Sequence, residues 1–224
     1  KGANSVAGNT ALGEGALDDS VTGDDNTAVG KNALTLNTSG GENTAIGRRV
    51  LQANTTGSDN TALGVSALKL NVTGNNNTAV GYDALGANTA SGNSALGHQA
   101  LQANTTGAGN IGVGKNSLLV NTTGNYNVAV GQNALDANTT ASNNTAVGHE
   151  TLTANTTGTN HVAVGAYALD ANTTSGNLTA VGYNALGGNT TGTENTGIGR
   201  QALLTNSTGS YNVALGVNAL YQNT

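Results

Sequence analysis

The sequence predicts an all-β protein, a parallel β-solenoid or β-roll of about thirteen coils with two short strands in each. Three observations carry this. The first is a fixed internal period. The string Asn-Thr-Ala-aliphatic-Gly recurs along the chain, its glycines falling at Gly13, Gly30, Gly47, Gly64, Gly81, Gly97, Gly114, Gly131, Gly148, Gly165, Gly182, Gly199 and Gly216. Successive glycines lie 17 residues apart, except for a gap of 16 between Gly81 and Gly97. The second is composition: 34 Gly, 35 Asn and 34 Thr make up nearly half of 224 residues, with no Pro, Cys, Met, Trp or Phe to build a wide core. The third is the unit itself, N-T-A-V-G-x-x-A-L-x-x-N-T-T-G-x-x. It is too short for a helical hairpin, which needs about 33 residues, and too rich in poor helix formers.

Each part of the coil then has a reading. In the first strand, Thr61 and Leu63 point to one side and Ala62 to the other. In the second, Leu68 and Leu70 share a face with Ala67 opposite. The larger aliphatics are expected to fill a thin core: Val29, Leu34 and Leu36 in one coil, Ile46, Leu51 and Ala53 in the next, Val80, Leu85 and Ala87 further on. The alanines Ala62 and Ala67 would form a flat outer ladder suited to packing against another chain. Coils stacked at about 4.8 Å would extend the whole array to roughly 60 Å.

Two asparagine series follow from the same stacking. One runs Asn37, Asn54, Asn71, Asn88, Asn104 and onward, broken only by Ser20; the other runs Asn26, Asn43, Asn60, Asn77 and onward, with His161 and Leu178 as substitutions. An amide carries donors and an acceptor, so each series can bond to the coils above and below. The near-invariant glycine after the first strand indicates positive φ or close backbone approach. The short unit loses its residue between Asn88 and Asn93, in a turn, where the flanking strands keep their register. Residues 1–224 read as one continuous array. It begins in a degenerate unit (Asn4-Ser5-Val6-Ala7-Gly8) and stops mid-unit at Thr224, as a window on a longer fibre would.

The sequence argues against most chemistry. His98 and His149 share a coil position but sit three coils apart, about 14 Å, too far to share a metal. No Ser-His-Asp arrangement can be assembled, and there is no Cys nucleophile. The densest acidic group, Asp18, Asp19, Asp24 and Asp25, stays within one coil and its flank. Acids in the turn before the strand do not recur, since Asp24, Asp25, Glu42, Asp59 and Glu194 are replaced elsewhere by Asn76, Gly109, Tyr126 and Asn160. No catalytic residue, metal ligand or cofactor site is therefore expected. A net charge of −5 argues against nucleic acid, and no apolar run is long enough for membrane insertion. With no Cys, disulfides do not hold the fold.

Some surface features are compatible with ligands. The position after the strand glycine varies widely and holds Tyr82 and Tyr183, whose rings could stack on sugars. Asn-x-Thr strings match a glycosylation acceptor, but their asparagines belong to the inward ladder. Ice binding needs Thr at i and i+2 on a flat face, and the adjacent pair Thr55-Thr56 diverges.

At Asn26-Thr27-Ala28-Val29-Gly30 followed by Ala33-Leu34, and in its copies, the chain resembles two related repeat groups. One is the head of trimeric autotransporter adhesins, with a Ser-Val-Ala-Ile-Gly-like string; Asn43-Thr44-Ala45-Ile46-Gly47 is its nearest match here. The other, closer in wording, is the Asn-Thr-Ala-Val-Gly…Ala-Leu…Asn-Thr-Thr-Gly repeat of bacteriophage tail fibres, often found upstream of an intramolecular chaperone. The resemblance covers essentially all of the chain. It implies a left-handed roll, as in the adhesin heads, a homotrimer with chains side by side, and an extracellular setting on a virion tail fibre or a cell surface. The 17-residue unit is longer than the adhesin unit, and these residues carry no stalk, anchor or chaperone. The expected function is a non-enzymatic structural fibre segment. It would be a rigid spacer, with adhesion to a cell-surface glycan or receptor as a further expectation. The alternative is a solenoid that binds glycan or ice on a ladder face.

Overall fold

The computed structural model describes residues 8–18 and 22–223. Residues 4–7 of the degenerate first unit, Asp19, Ser20 and Thr224, all used above, lie outside the described residues. The chain divides into two compact units, one running to Asn110 and the other starting at Ile111. In each, successive coils contribute one three-residue strand that pairs in parallel with the strands of the coils before and after it. The first unit holds β1 (Thr10–Leu12), β2 (Thr27–Val29), β3 (Thr44–Ile46), β4 (Thr61–Leu63), β5 (Thr78–Val80) and β6 (Ser94–Leu96). The second holds β7 (Ile111–Val113), β8 (Val128–Val130), β9 (Thr145–Val147), β10 (Val162–Val164), β11 (Thr179–Val181), β12 (Thr196–Ile198) and β13 (Val213–Leu215). This is the parallel β-solenoid of about thirteen coils that the repeat predicts.

Register follows the period. Thr27 pairs with Thr44, Ala45 with Ala62 and Leu63 with Val80, so like residues stack on like. Across the short coil the pairing holds, with Thr78 opposite Ser94 and Val80 opposite Leu96. The missing residue is absorbed in the turn: Asn88 Nδ2 reaches the carbonyl of Ala90, two residues on, where Asn71 reaches that of Gly74, three on.

Among the described residues the second expected strand is absent. Residues 30–37 instead form successive turns, with the Ala33 N–H donating to Gly30 O at 3.3 Å and the Asn37 N–H to Leu34 O at 3.2 Å. Asn32 (φ 59°) and Leu34 (φ 50°) both lie in the left-handed region. Coils still bond here without extended geometry, since the Leu34 N–H donates to Val50 O of the next coil and the Asn32 N–H to Glu14 O of the previous one. A left-handed conformation costs an L-residue about 1–2 kcal/mol. Burial of the leucine side chain contributes about 1.5–3 kcal/mol and offsets it, because Leu34, Leu51, Leu68 and Leu85 are all fully buried. Apolar alternation reads the same for a strand and for this turn, so the difference was hidden in the sequence.

Leu34, Leu51 and Leu85 lie in the core as expected, but the strand part of the core is inverted. Ala28, Ala45, Ala62 and Ala79 at the strand centres, and Ala33, Ala67 and Ala84 in the turns, are completely buried with the turn leucines. Ile46, Leu63 and Leu96 are exposed at 39%, 45% and 52%, Leu36 is exposed, and Val29 and Val80 are half-buried. Ala53 and Ala87 are half-buried too. The interior of so short a coil already holds one leucine and two asparagines, which leaves room under the strand only for a methyl group. Where a further coil stacks on it, the glycine after the strand has no room at all. At Gly64 (φ 129°) an added Cβ would lie 2.5 Å from the Gly81 carbonyl oxygen.

Left-handed residues also occur in the turn before each strand, where Asn143, Asn160 and Asn177 stand in three coils of the second unit and Tyr126 (φ 56°) in another. Asparagine tolerates this region best among non-glycine residues. Tyr126 is exposed. Tyr126→Asn is therefore expected to stabilise the second unit by roughly 0.5 kcal/mol, read as a raised urea midpoint.

Candidate functional site

The two asparagine ladders are the most regular polar feature, and they face inward. Asn26, Asn43, Asn60 and Asn77 on one side and Asn37, Asn54 and Asn71 on the other are buried. In the first ladder, Asn60 Nδ2 donates to Gly74 O at 2.9 Å and to Asn43 Oδ1 at 3.0 Å, and that same Oδ1 accepts the Asn60 backbone N–H. In the second, Asn71 Nδ2 donates to Asn54 Oδ1 at 3.0 Å and to Gly74 O at 2.9 Å. The Gly74 carbonyl thus receives one amide from each ladder, and the same holds at Gly57 with Asn43 and Asn54. Each glycine carbonyl uses both lone pairs. Asn37, Asn54, Asn71 and Asn104, the asparagines of the Asn-x-Thr strings, are buried in the folded coil.

His161 occupies one ladder position. Its backbone N–H donates to Asn144 Oδ1 at 3.0 Å, and its Nδ1 accepts the Leu178 N–H at 3.3 Å. Burial lowers its pKa to about 4, against a hydrogen bond to the Ser175 backbone that raises it. The ring stands in for an amide, Nδ1 for the oxygen and Nε2–H for the NH₂ group. The other two histidines are on the surface. His98 stacks on Tyr82 in the first unit, ring centroids 5.1 Å apart. His149 contacts Tyr167 in the second, and Tyr167 meets Tyr183 edge-on.

Burial pushes Asp136 and Asp170 above the ordinary carboxylate range, with backbone N–H groups opposing the shift and the Glu150 charge adding to it. Among the described residues no three His, Asp or Glu side chains come together as a metal-holding group. Lys31 pairs with Glu14 at 2.8 Å, both well exposed. Among the described residues no helix is long and apolar enough to cross a membrane.

The strand face is where the structure departs most from the sequence reading. Within the first unit, Thr27, Thr44, Thr61, Thr78 and Ser94 form one outward column and Val29, Ile46, Leu63, Val80 and Leu96 another, both running along the parallel sheet. The second unit has the same columns with more aliphatic residues, including Ile111, Val162, Val164 and Ile198, all exposed. The alanine ladder offered as a docking surface is buried; the Thr-x-aliphatic face lies outside in its place. The i, i+2 pair on the flat strand joins a threonine to an aliphatic, whereas the adjacent Thr55 gives its hydroxyl to Val72 O of the next coil. Compared with known protein families and with curated proteins, the chain matches no family model and no curated sequence.

Proposed function

We propose that the chain is a non-enzymatic structural segment of an extracellular fibre, on a phage tail fibre or a cell-surface adhesin. In this reading three chains associate side by side through the Thr-x-aliphatic strand face. The observation that carries this is the outward aliphatic column, repeated on every coil. A soluble monomer seldom shows a continuous apolar stripe of this kind without a partner for it. Identical ladders at strand spacing also match one another when two copies align, so each added coil extends the contact. Burying a half-exposed leucine or isoleucine contributes on the order of 1 kcal/mol, and the effect accumulates along a unit. The unequal sizes of Val29, Ile46, Leu63 and Leu96, and the scarcity of threonine in β7, β8 and β10, favour packing against protein over matching a water lattice. The buried amide ladders and inter-coil bonds make each coil stiff, which suits a spacer.

Light scattering on the purified chain is expected to give a trimer mass. Ile46→Lys with Leu63→Lys is expected to shift the mass toward monomer. The circular dichroism spectrum should persist, because both side chains are already exposed. A monomeric mass for the unaltered chain would overturn the association.

A further inference from the structure

We propose that a notch over Gly86 is a binding subsite for a neutral carbohydrate. This gives the adhesive part of the fibre reading a ligand class and an address, and it stands apart from the association of chains. The notch, about 300 Å³, lies in the first unit and is lined by Lys69, Leu70, Asp83, Gly86, Ala87, Gln102 and Ala103. It exists because one stacked column loses its side chain there. The column reads Gln52, Lys69, Gly86, Gln102 in successive coils. Over the gap the Asp83 carboxylate accepts a hydrogen bond from Gln102 Nε2, and the Asp83 Oδ1 atom occupies the space a Cβ on Gly86 would take.

The lining selects among ligand classes. Asp83 accepts, the Lys69 ammonium donates, and Gln102 does both. An anion meets the Asp83 carboxylate and a cation meets Lys69, whereas a neutral hydroxyl can donate to one and accept from the other. Leu70, Ala87 and Ala103 supply the apolar surface on which the C–H face of a sugar packs. Tyr82 precedes Asp83 in the chain, and its ring, 52% exposed, lies stacked on His98 with planes 17° apart.

The second unit repeats the combination. Tyrosine follows the strand glycine in two coils, at Tyr82 and Tyr183, and those are the two coils whose column position is glycine, Gly86 and Gly187. Asn184 Oδ1 lies over Gly187 as Asp83 Oδ1 lies over Gly86.

The test is chemical-shift mapping on the isotope-labelled chain with cellotriose, maltotriose and chitotriose at millimolar concentration, beside inorganic phosphate and putrescine as charged probes. At least one trisaccharide is expected to shift Lys69, Asp83, Gly86 and Gln102. Gly86→Gln should weaken that binding by at least about tenfold, since it refills the column with the residue found at Gln52 and Gln102. Gly86 lacks the positive φ of the strand glycines, and the atom an added Cβ meets first is the tip of the Asp83 side chain, which has to swing aside; unchanged resonances in distant coils check that the variant keeps its fold. No shift at the notch with any trisaccharide, undiminished shifts in Gly86→Gln, or equal shifts from phosphate or putrescine would each overturn the proposal. Light scattering on the same samples reports chain association independently, so failure of the fibre reading would be seen separately.

Discussion

Asn60→Asp is expected to unfold the first unit in conditions where Asn76→Asp does little. Asn60 has no exposed surface, and its NH₂ group sits between two oxygens, Gly74 O and Asn43 Oδ1. Aspartate removes both donors and sets an oxygen against two others. A charge buried without a partner costs roughly 3–5 kcal/mol, a large fraction of the stability of a domain of this size. Burial raises the pKa of such a carboxyl group in the folded state. A raised carboxyl contributes stability that is complete below the unfolded pKa of about 3.9 and lost as pH rises through the folded value. The deficit should therefore be larger at pH 7 than at pH 4. Asn60→Ala separates loss of bonds from added charge, since it leaves Gly74 O with its second donor from Asn71 and should cost less. Urea denaturation of the three variants at both pH values checks the order. Equal costs for Asn60→Asp and Asn76→Asp would show that the ladder does not hold the coils together.

How much of this was legible depends on the residue. The period, the parallel register and the tolerance of the short coil between Asn88 and Asn93 could all be read directly, because each follows from equivalent residues stacking. The ladders were legible too, since an amide recurring once per coil has few other uses. The phase of the strand was misjudged by ranking hydrophobicity, which placed Leu63 inside and Ala62 outside. Alternation counted from the buried ladder gives the opposite: Asn60 in, Thr61 out, Ala62 in, Leu63 out, as found. That signal was present in the sequence, and the polar residue carried it. The left-handed turn at Leu34 was not legible, because leucine there has an apolar reason to be buried and no conformational reason to be chosen. The notch at Gly86 was invisible for a related cause: a missing side chain becomes a feature only once its stacked neighbours Lys69 and Gln102 are in place.

Acid is expected to destabilise the second unit in one defined window through His161. The surrounding groups are Asn144, Asn172, Ser175 and Leu178, none ionisable, with the Asn172 Nδ2 atom 3.2 Å from Nε2. Because Nδ1 accepts the Leu178 N–H, it must be bare, and the ring proton sits on Nε2 facing the Ser175 carbonyl. Protonating Nδ1 would turn one donor against another and leave a buried cation without a counter-charge. This is why burial dominates and the folded pKa falls from 6.5 to about 4. The unfolded chain takes up the proton first as pH drops. The stability contributed by neutral His161 is thus complete above about pH 6.5, lost as pH falls toward 4, and unchanging below that. The full span corresponds to about 3 kcal/mol. Asp136 and Asp170 act in the opposite sense, since their raised pKa values make their contribution complete below 3.8 and lost as pH rises through the folded values. His161→Asn isolates the histidine, because it restores the amide found at Asn144 in the preceding coil and leaves both aspartates in place. His98 and His149 are common to both proteins and cancel in the difference. Subtracting the unfolding free energy of the variant from that of the unaltered chain, at intervals from pH 7.5 to 3.5, should give a curve that falls as the medium becomes acid and flattens near pH 4. A difference that does not change with pH would mean the ring is not held as the amide's substitute, and the ladder at this coil would need another donor.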